Sequence, residues 1–477
     1  MTPAARLSAA IGLLDDILRH KRPISNALKD WGNANRYAGS GDRNAVGNLV
    51  HDSLRVKASA GWIMGLRPTG DPGAGDSPPG EDQPAGEEAR AILLGMLRTL
   101  RGASLEAIEA LCSGERFAPA PLSDAERAAL AMPDLTQAPP DVLGDYPAWL
   151  ETSLRAALGD SRVTEIRAMA ARAPVDLRVN PLKILRLKAL EAIGHLNPEP
   201  TPISPLGLRL HPNADGRVPH VQSEPAFLKG AIEVQDEGSQ LVSLLAGAEP
   251  GMQVLDLCAG GGGKTLAMAA EMNNKGQIFA TDSDQRRLAP IHDRLARAGV
   301  RNVQVRTPKP AFSSKVDAGK VDAGLREENA AQRKSAAMPL DDLTGKMDLV
   351  LVDAPCTGSG TWRRHPDAKW RMRPTSLELR AGEQREVLEH AAGFVKPGGR
   401  LVYITCSLLD EENGAQVAAF LERHPDFTVI DPAANAAARG LEMLAQHKDC
   451  RGLGLLLTPH RTNTDGFFIA VLGRNPA

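Results

Sequence analysis

Two short apolar runs restrict the fold of this chain most: Leu349-Val-Leu-Val-Asp-Ala-Pro-Cys356 and Leu401-Val-Tyr-Ile-Thr-Cys-Ser407, each ending abruptly in polar residues and a cysteine. Runs of this length, rich in Val, Leu and Ile, suit strands of a parallel sheet buried on both faces. In open α/β sheets, ligands and chemistry sit just beyond the carboxyl ends of the strands. Neighbouring strands lie ~4.8 Å apart, so such a sheet brings Cys356 and Cys406 to one place although 50 residues separate them.

At 477 residues the chain exceeds what one hydrophobic core supports, so two or three domains are expected. A net charge of −2 gives no global polyelectrolyte signal, and any affinity for nucleic acid must be local. The cysteines Cys112, Cys258, Cys356, Cys406 and Cys450 are scattered without a CxxC pair, which reads as reduced thiols, not a disulfide framework or zinc site. The histidines show no ligand spacing either, so no metal is expected. Asp15 and Asp16 interrupt the apolar N-terminus, and no window reaches the ~18 uncharged apolar residues of a membrane helix. The expectation is a cytoplasmic, monomeric protein that does not enter a membrane.

Helical periodicity puts Leu7, Ala10, Ile11, Leu14, Ile17 and Leu18 on one face and recurs as far as Ala131, so residues 1–135 read as an all-α domain. The Pro- and Gly-rich stretch Arg67–Gly86 reads as a loop. Gln137-Ala-Pro-Pro140 marks a boundary, and 141–229 reads as a small α+β unit. Its alternating piece Val175–Lys183 presents Arg178, Asn180 and Lys183, types that suit phosphate contact as well as a solvated strand face. From 230 to 475 strands and helices alternate, which implies a doubly wound, Rossmann-like α/β sheet. The repetitive, charged segment 309–337 reads as a surface insertion in it.

Asp256-Leu-Cys-Ala-Gly-Gly-Gly-Gly-Lys-Thr265 joins the first strand of this sheet to its helix. Glycines allow close approach to backbone, and a helix N-terminus offers free N–H groups to an anion. A Walker A loop is excluded by Cys258, which stands where its first Gly belongs, and a GxGxxG fingerprint by Thr265. Asp282 ends the second strand, where an acid binds ribose hydroxyls. An adenosyl cofactor and a dinucleotide both stay open on these residues.

Two thiols beside an acid meet the demand of one reaction in particular. C5 of cytosine is a poor nucleophile until a thiolate adds at C6; the adduct then takes a methyl group, loses the C5 proton and expels the thiol. Asp353-Ala-Pro-Cys356, Thr405-Cys-Ser407 and Cys258–Thr265, in this order relative to Gln235-Asp-Glu-Gly-Ser-Gln240 and Thr464-Asp-Gly-Phe-Phe468, resemble the Sun/RsmB-type RNA (cytosine-5)-methyltransferases.

The resemblance implies that Cys406 is the nucleophile, that Cys356 assists product release and that Asp353 contacts the base. It implies that Cys258, Ala259, Gly260, Gly261, Gly262, Gly263 and Lys264, with Asp282 and Asp353, hold S-adenosyl-L-methionine. Where the family places an acid after the third strand, this chain reads Arg306-Thr-Pro-Lys309. A NusB-like, RNA-binding N-terminal domain is implied as well. The implied activity is 5-methylcytosine formation in 16S ribosomal RNA, with tRNA methylation or a catalytically weak assembly factor as alternatives. Arg363-Arg-His-Pro-Asp-Ala-Lys-Trp-Arg-Met-Arg373, with five Arg or Lys and a Trp, is the expected site of phosphate neutralisation and base stacking.

Overall fold

The computed structural model describes residues 1–66, 86–213, 216, 219–307 and 340–476; the segments 67–85 and 309–337, read above as a loop and an insertion, lie outside them. The strands are β1 (Val175–Val179), β2 (Glu199–Pro200), β3 (Gly207–Leu210), β4 (Ile232–Val234), β5 (Gln253–Asp256), β6 (Gln277–Ala280), β7 (Val303–Val305), β8 (Met347–Asp353), β9 (Val395–Thr405), β10 (Phe427–Val429), β11 (Leu455–Leu457) and β12 (Phe467–Arg474). The larger sheet runs β10-β12-β9-β8-β5-β6-β7, with β11 also paired to β12. From β9 to β7 the strands are parallel, and β12 and β10 are antiparallel additions. The doubly wound α/β architecture is therefore present.

Helices cover both faces of that sheet, which explains its uninterrupted apolar runs. Val350 and Val352 point into one layer with Tyr403, Leu388 and Phe420, while Leu349 and Leu351 point into the other with Leu241, Leu245 and Met268. The period-2 alternation of a strand thus delivers apolar side chains to two cores at once. Asp353 lies opposite Ile404 in the parallel register, so the chain leaves β8 and β9 side by side toward the two cysteines.

Three local details depart from the sequence reading. Strand β9 starts at Val395, ahead of the apolar run that begins at Leu401, because Met347 pairs with Val395 across a register irregularity. Between β6 and β7, where simple alternation expects one helix, there are two, Gln285–Leu288 and Ile291–Ala298, split at Pro290, which has no N–H to donate. Strands β10 and β11, of three residues each, are too short to show periodicity.

The N-terminal helices, from Pro3–His20 to Asp124–Ala131, enclose a core of their own that runs from Leu7 to Leu130. At Gly95 the helix Glu87–Thr99 crosses Lys57–Ile63 so closely that a Cβ would collide with the Ala60 carbonyl. Trp370, from the far end of the chain, packs against this helical core, and its indole N–H donates to the Leu54 carbonyl at 2.7 Å. Trp370→Ala is expected to cost about 3 kcal/mol, since it removes a large partly buried ring and leaves that carbonyl unpaired. Chemical denaturation of the full chain measures it.

The smaller sheet, β2-β3-β1-β4, is antiparallel and has its own core around Leu177, Val179, Leu208 and Ile232. Arg178, Asn180 and Lys183, open on the sequence to phosphate contact or to solvent, are buried or engaged within the protein. Arg178 is buried, and Asn180 donates through Nδ2 to the Gly230 and Ala298 carbonyls at 2.9 and 2.8 Å. Lys183 Nζ donates to the Lys229 and Arg297 carbonyls at 2.7 and 2.6 Å. Asn180 and Lys183 satisfy the carboxyl end of Ile291–Ala298, where helix carbonyls lack partners and favour a cation. They join the small sheet to the large one.

Candidate functional site

The carboxyl ends of β5, β6, β8 and β9 converge on one region. Cys356, three residues past β8, and Cys406, directly past β9, approach with their sulfurs 3.3 Å apart. The loop between them is pinned from behind, as Gly360 N–H donates to the Cys406 carbonyl at 2.9 Å and Gly466 N–H to the Gly360 carbonyl at 2.7 Å. Gly360 and Gly466 lie in backbone contact, where neither admits a side chain. Hydrogen bonding to Cys406, and then burial, hold the Cys356 thiol well above the ordinary thiol range. A thiol so raised suits the part of a hydrogen-bond donor to its neighbour.

Asp353 ends β8 and accepts a hydrogen bond from Lys264 Nζ at 2.6 Å. Lys264 itself is buried and also lies over the Phe467 ring, 5.4 Å from its centroid. One ion pair thus connects the cysteine-bearing strand, the Gly-rich loop and the last strand. Asp256, beneath the loop, accepts from Thr265 Oγ1 at 2.7 Å, and burial pushes its carboxyl up to about 7. Cys258 is half-buried against the core, and burial raises its thiol well above the usual range.

The Gly-rich loop is built to leave backbone exposed. Gly260 and Gly262 have φ of +50° and +82°, a left-handed conformation that glycine adopts without strain. Helix Gly263–Glu271 starts with no capping side chain, so its first N–H groups have no internal partner. At Gly263 an added Cβ would meet nothing nearer than 3.8 Å, so the helix start is open to a ligand. Asp282 is buried at the end of β6, where Oδ2 accepts from Gly260 N–H at 2.9 Å and Oδ1 from Asp284 N–H at 2.8 Å. Each of its oxygens keeps a further lone pair.

These features fit S-adenosyl-L-methionine. The open helix start suits its carboxylate, and the acids Asp282 and Asp353 supply negative potential for its sulfonium and ammonium groups. Where the family's further acid is missing, Arg306 pairs with Asp342 at 2.9 Å and stacks over Phe279 at 5.0 Å; Pro308 and Lys309 lie outside the described residues.

The basic loop is the clearest correction. Arg363 is 3% exposed and Lys369 likewise 3%. Arg363 pairs with Asp465 and, at 3.0 Å, with Asp236; Arg364 also bonds Asp465 and, at 2.8 Å, Asp236. Lys369 Nζ donates to the Arg55 carbonyl at 2.9 Å, and burial lowers its ammonium to about 8. Arg55 Nη1 donates in return to the Arg363 carbonyl at 2.7 Å. These side chains bind protein and not phosphate, because two acids and the N-terminal helices already satisfy them.

Among the described residues, one trio has metal-ligand proximity, Asp410, Asp449 and Cys450, but the Arg451 guanidinium bonds both Asp410 oxygens at 2.7–2.9 Å.

Residues 243–473 match the family described as 16S rRNA methyltransferase RsmB/F. The chain is 30% identical over 330 residues to the probable ribosomal RNA small subunit methyltransferase B of Synechocystis, a match covering 69% of this chain and 66% of that protein. It is 33% identical over 363 residues to ribosomal RNA small subunit methyltransferase B of Sodalis glossinidius, covering 75% and 69%. Among solved structures, a methyltransferase homologue from Pyrococcus horikoshii is 26% identical with a TM-score of 0.52, over 70% of this chain and 97% of that one. The fold of the protein PH0851 superposes over 99% of both chains with a TM-score of 0.64 at 23% identity. The chain belongs to the RsmB/F family of 16S ribosomal RNA methyltransferases, and its cofactor is S-adenosyl-L-methionine.

Proposed function

We propose that the protein forms 5-methylcytosine in 16S ribosomal RNA through a transient covalent bond between Cys406 and C6 of the base. The observation that carries this reading is the pair of sulfurs 3.3 Å apart at adjoining strand ends, beside Asp353. A methyltransferase acting on an oxygen or an exocyclic nitrogen has no use for two thiols there. A carbon that must be activated by addition needs one thiol to attack and a neighbour to help it leave.

In this reading Cys406 adds to C6, and Asp353, kept in place by Lys264, binds the base edge whose charge changes on addition. The cofactor supplies an electrophilic methyl sulfonium, and Cys258 through Lys264 with Asp282 and Asp353 hold it. Cys356, whose thiol is held well above the ordinary range, donates a hydrogen bond to the Cys406 sulfur as it departs, after the C5 proton has passed to solvent water. The N-terminal helical domain, residues 1–135, serves as a NusB-like RNA-binding module, and the unit 141–229 connects it to the catalytic domain. Among the described residues no helix is long and apolar enough to cross a membrane, and we place the enzyme in the cytoplasm.

Methyl-labelled S-adenosyl-L-methionine, offered with 16S transcripts and with tRNA, tests the reading. The expected result is label in 5-methylcytidine from the 16S arm alone. Label in the tRNA arm alone reassigns the substrate. Label in another nucleoside refutes the chemistry.

A further inference from the structure

We propose that Glu412 is the positioning residue that sets the two thiols against each other, by bonding the residue that follows each of them. Glu412 lies six residues past Cys406 and is fully buried. Its Oε1 accepts from Thr357 N–H at 2.8 Å and from Gln384 Nε2 at 3.0 Å. Its Oε2 accepts from Thr357 Oγ1 and from Ser407 Oγ, both at 2.5 Å. Thr357 directly follows Cys356, and Ser407 directly follows Cys406. One carboxylate therefore spans the backbones that carry both sulfurs.

Neighbouring bonds reinforce the span. Gln384 Nε2 also donates to the Pro355 carbonyl at 2.9 Å, just ahead of Cys356. Ser359 Oγ lies 3.0 Å from Ser407 Oγ and accepts from Leu408 N–H at 2.8 Å. Glu412 itself is held by its own carbonyl, which accepts from Tyr403 OH at 2.6 Å. A carboxylate offers about four lone-pair sites, and four donors fill those of Glu412. It has no site left for substrate, so its contribution is geometric. Without it, the Thr357 hydroxyl and N–H lose their partner and the buried Ser407 hydroxyl loses one of its own, and the loops are free to move apart.

This inference rests on the proposed roles of the thiols, but its test does not need RNA. Phenylarsine oxide, a probe that condenses with two adjacent thiols and releases water, is titrated against the full chain, with a Cys356→Ser, Cys406→Ser double variant as the blank. Glu412→Gln keeps the shape and can still bond all four partners, because the hydroxyls can turn to accept from its amide. It is expected to bind the arsenical as the parent does. Glu412→Ala is expected to bind it at least about tenfold more weakly, the scale of one or two lost hydrogen bonds to an ionised group, with affinity for S-adenosyl-L-methionine retained.

Parental arsenical binding by Glu412→Ala overturns the proposal. So does a Glu412→Gln variant as weak as Glu412→Ala, since charge and not bonding geometry then matters. Should Glu412→Ala fail to fold, Thr357→Val removes one of the four bonds at constant shape, and unchanged arsenical binding by it overturns the proposal equally. Methylation of 16S transcripts is measured in parallel. A parent that binds the arsenical and transfers no methyl group refutes the function proposed above while leaving the placement of Glu412 intact.

Discussion

Cys356→Ala is expected to convert the protein into a covalent RNA trap. With Cys406 intact, addition to C6 and methyl transfer proceed, but the departing sulfur has lost the thiol 3.3 Å away that stabilises it. The adduct should then persist as a protein–RNA band that survives denaturing electrophoresis. Cys406→Ala should form no such band and should lose methyl transfer by about 10⁴-fold or more, the scale on which a covalent nucleophile matters. RNA binding by Cys406→Ala should be nearly unaffected. The asymmetry follows from the site: hydrogen bonding to Cys406 and burial hold the Cys356 thiol well above the ordinary range, which suits it to donate to the departing sulfur. A band with Cys406→Ala and none with Cys356→Ala would exchange the two roles.

The parts of this site that were legible in the sequence are those in which chemistry and chain position coincide. A buried parallel strand announces itself by an apolar run, and the residue after it falls at the functional edge of the sheet. Cys356, Cys406, Asp353 and the Gly-rich loop could therefore be placed together without coordinates. Charges were not legible, because a sequence does not say what neutralises them. Asp236 and Asp465 lie 127 and 102 residues from Arg363 along the chain, and a run of arginines beside a catalytic loop looks the same whether it faces phosphate or buried acids. Lys183 and Asn180 stayed undecided for the same reason, their partners being helix-end carbonyls at Arg297 and Ala298. Glu412 was missed for the converse reason. It sits in the acidic run Asp410-Glu-Glu412, which reads as an exposed helix start, and only the fold buries it between two loops. One signal was available: the Asp of Gln235-Asp-Glu-Gly and that of Thr464-Asp-Gly match in number the Arg pair that they bind.

The reassigned loop yields the second large effect. Arg363→Ala is expected to destabilise the protein by about 3 kcal/mol, because removing one partner of a buried ion cluster leaves its acids without compensation. The loss falls at the lower end for such clusters, since Arg364 still bonds both Asp236 and Asp465. Denaturant unfolding of the full chain measures it. A phosphate-binding arginine would behave in the opposite way: stability would hold, and the slope of log affinity against log salt would fall by about one. Arg363→Ala should leave that slope unchanged. The same substitution loosens the catalytic loop from the entry to β12, because Asp465 immediately precedes Gly466, which packs on Gly360; the backbone carbonyl at 363, which receives Arg55 from the N-terminal helices, stays in place. The cluster thus fixes the Cys356 loop and the entry to β12 in one arrangement. Methyl transfer should accordingly fall in Arg363→Ala even under conditions where the protein remains folded, and Arg363→Lys, which cannot bond two acids in a planar fork, should recover little of it.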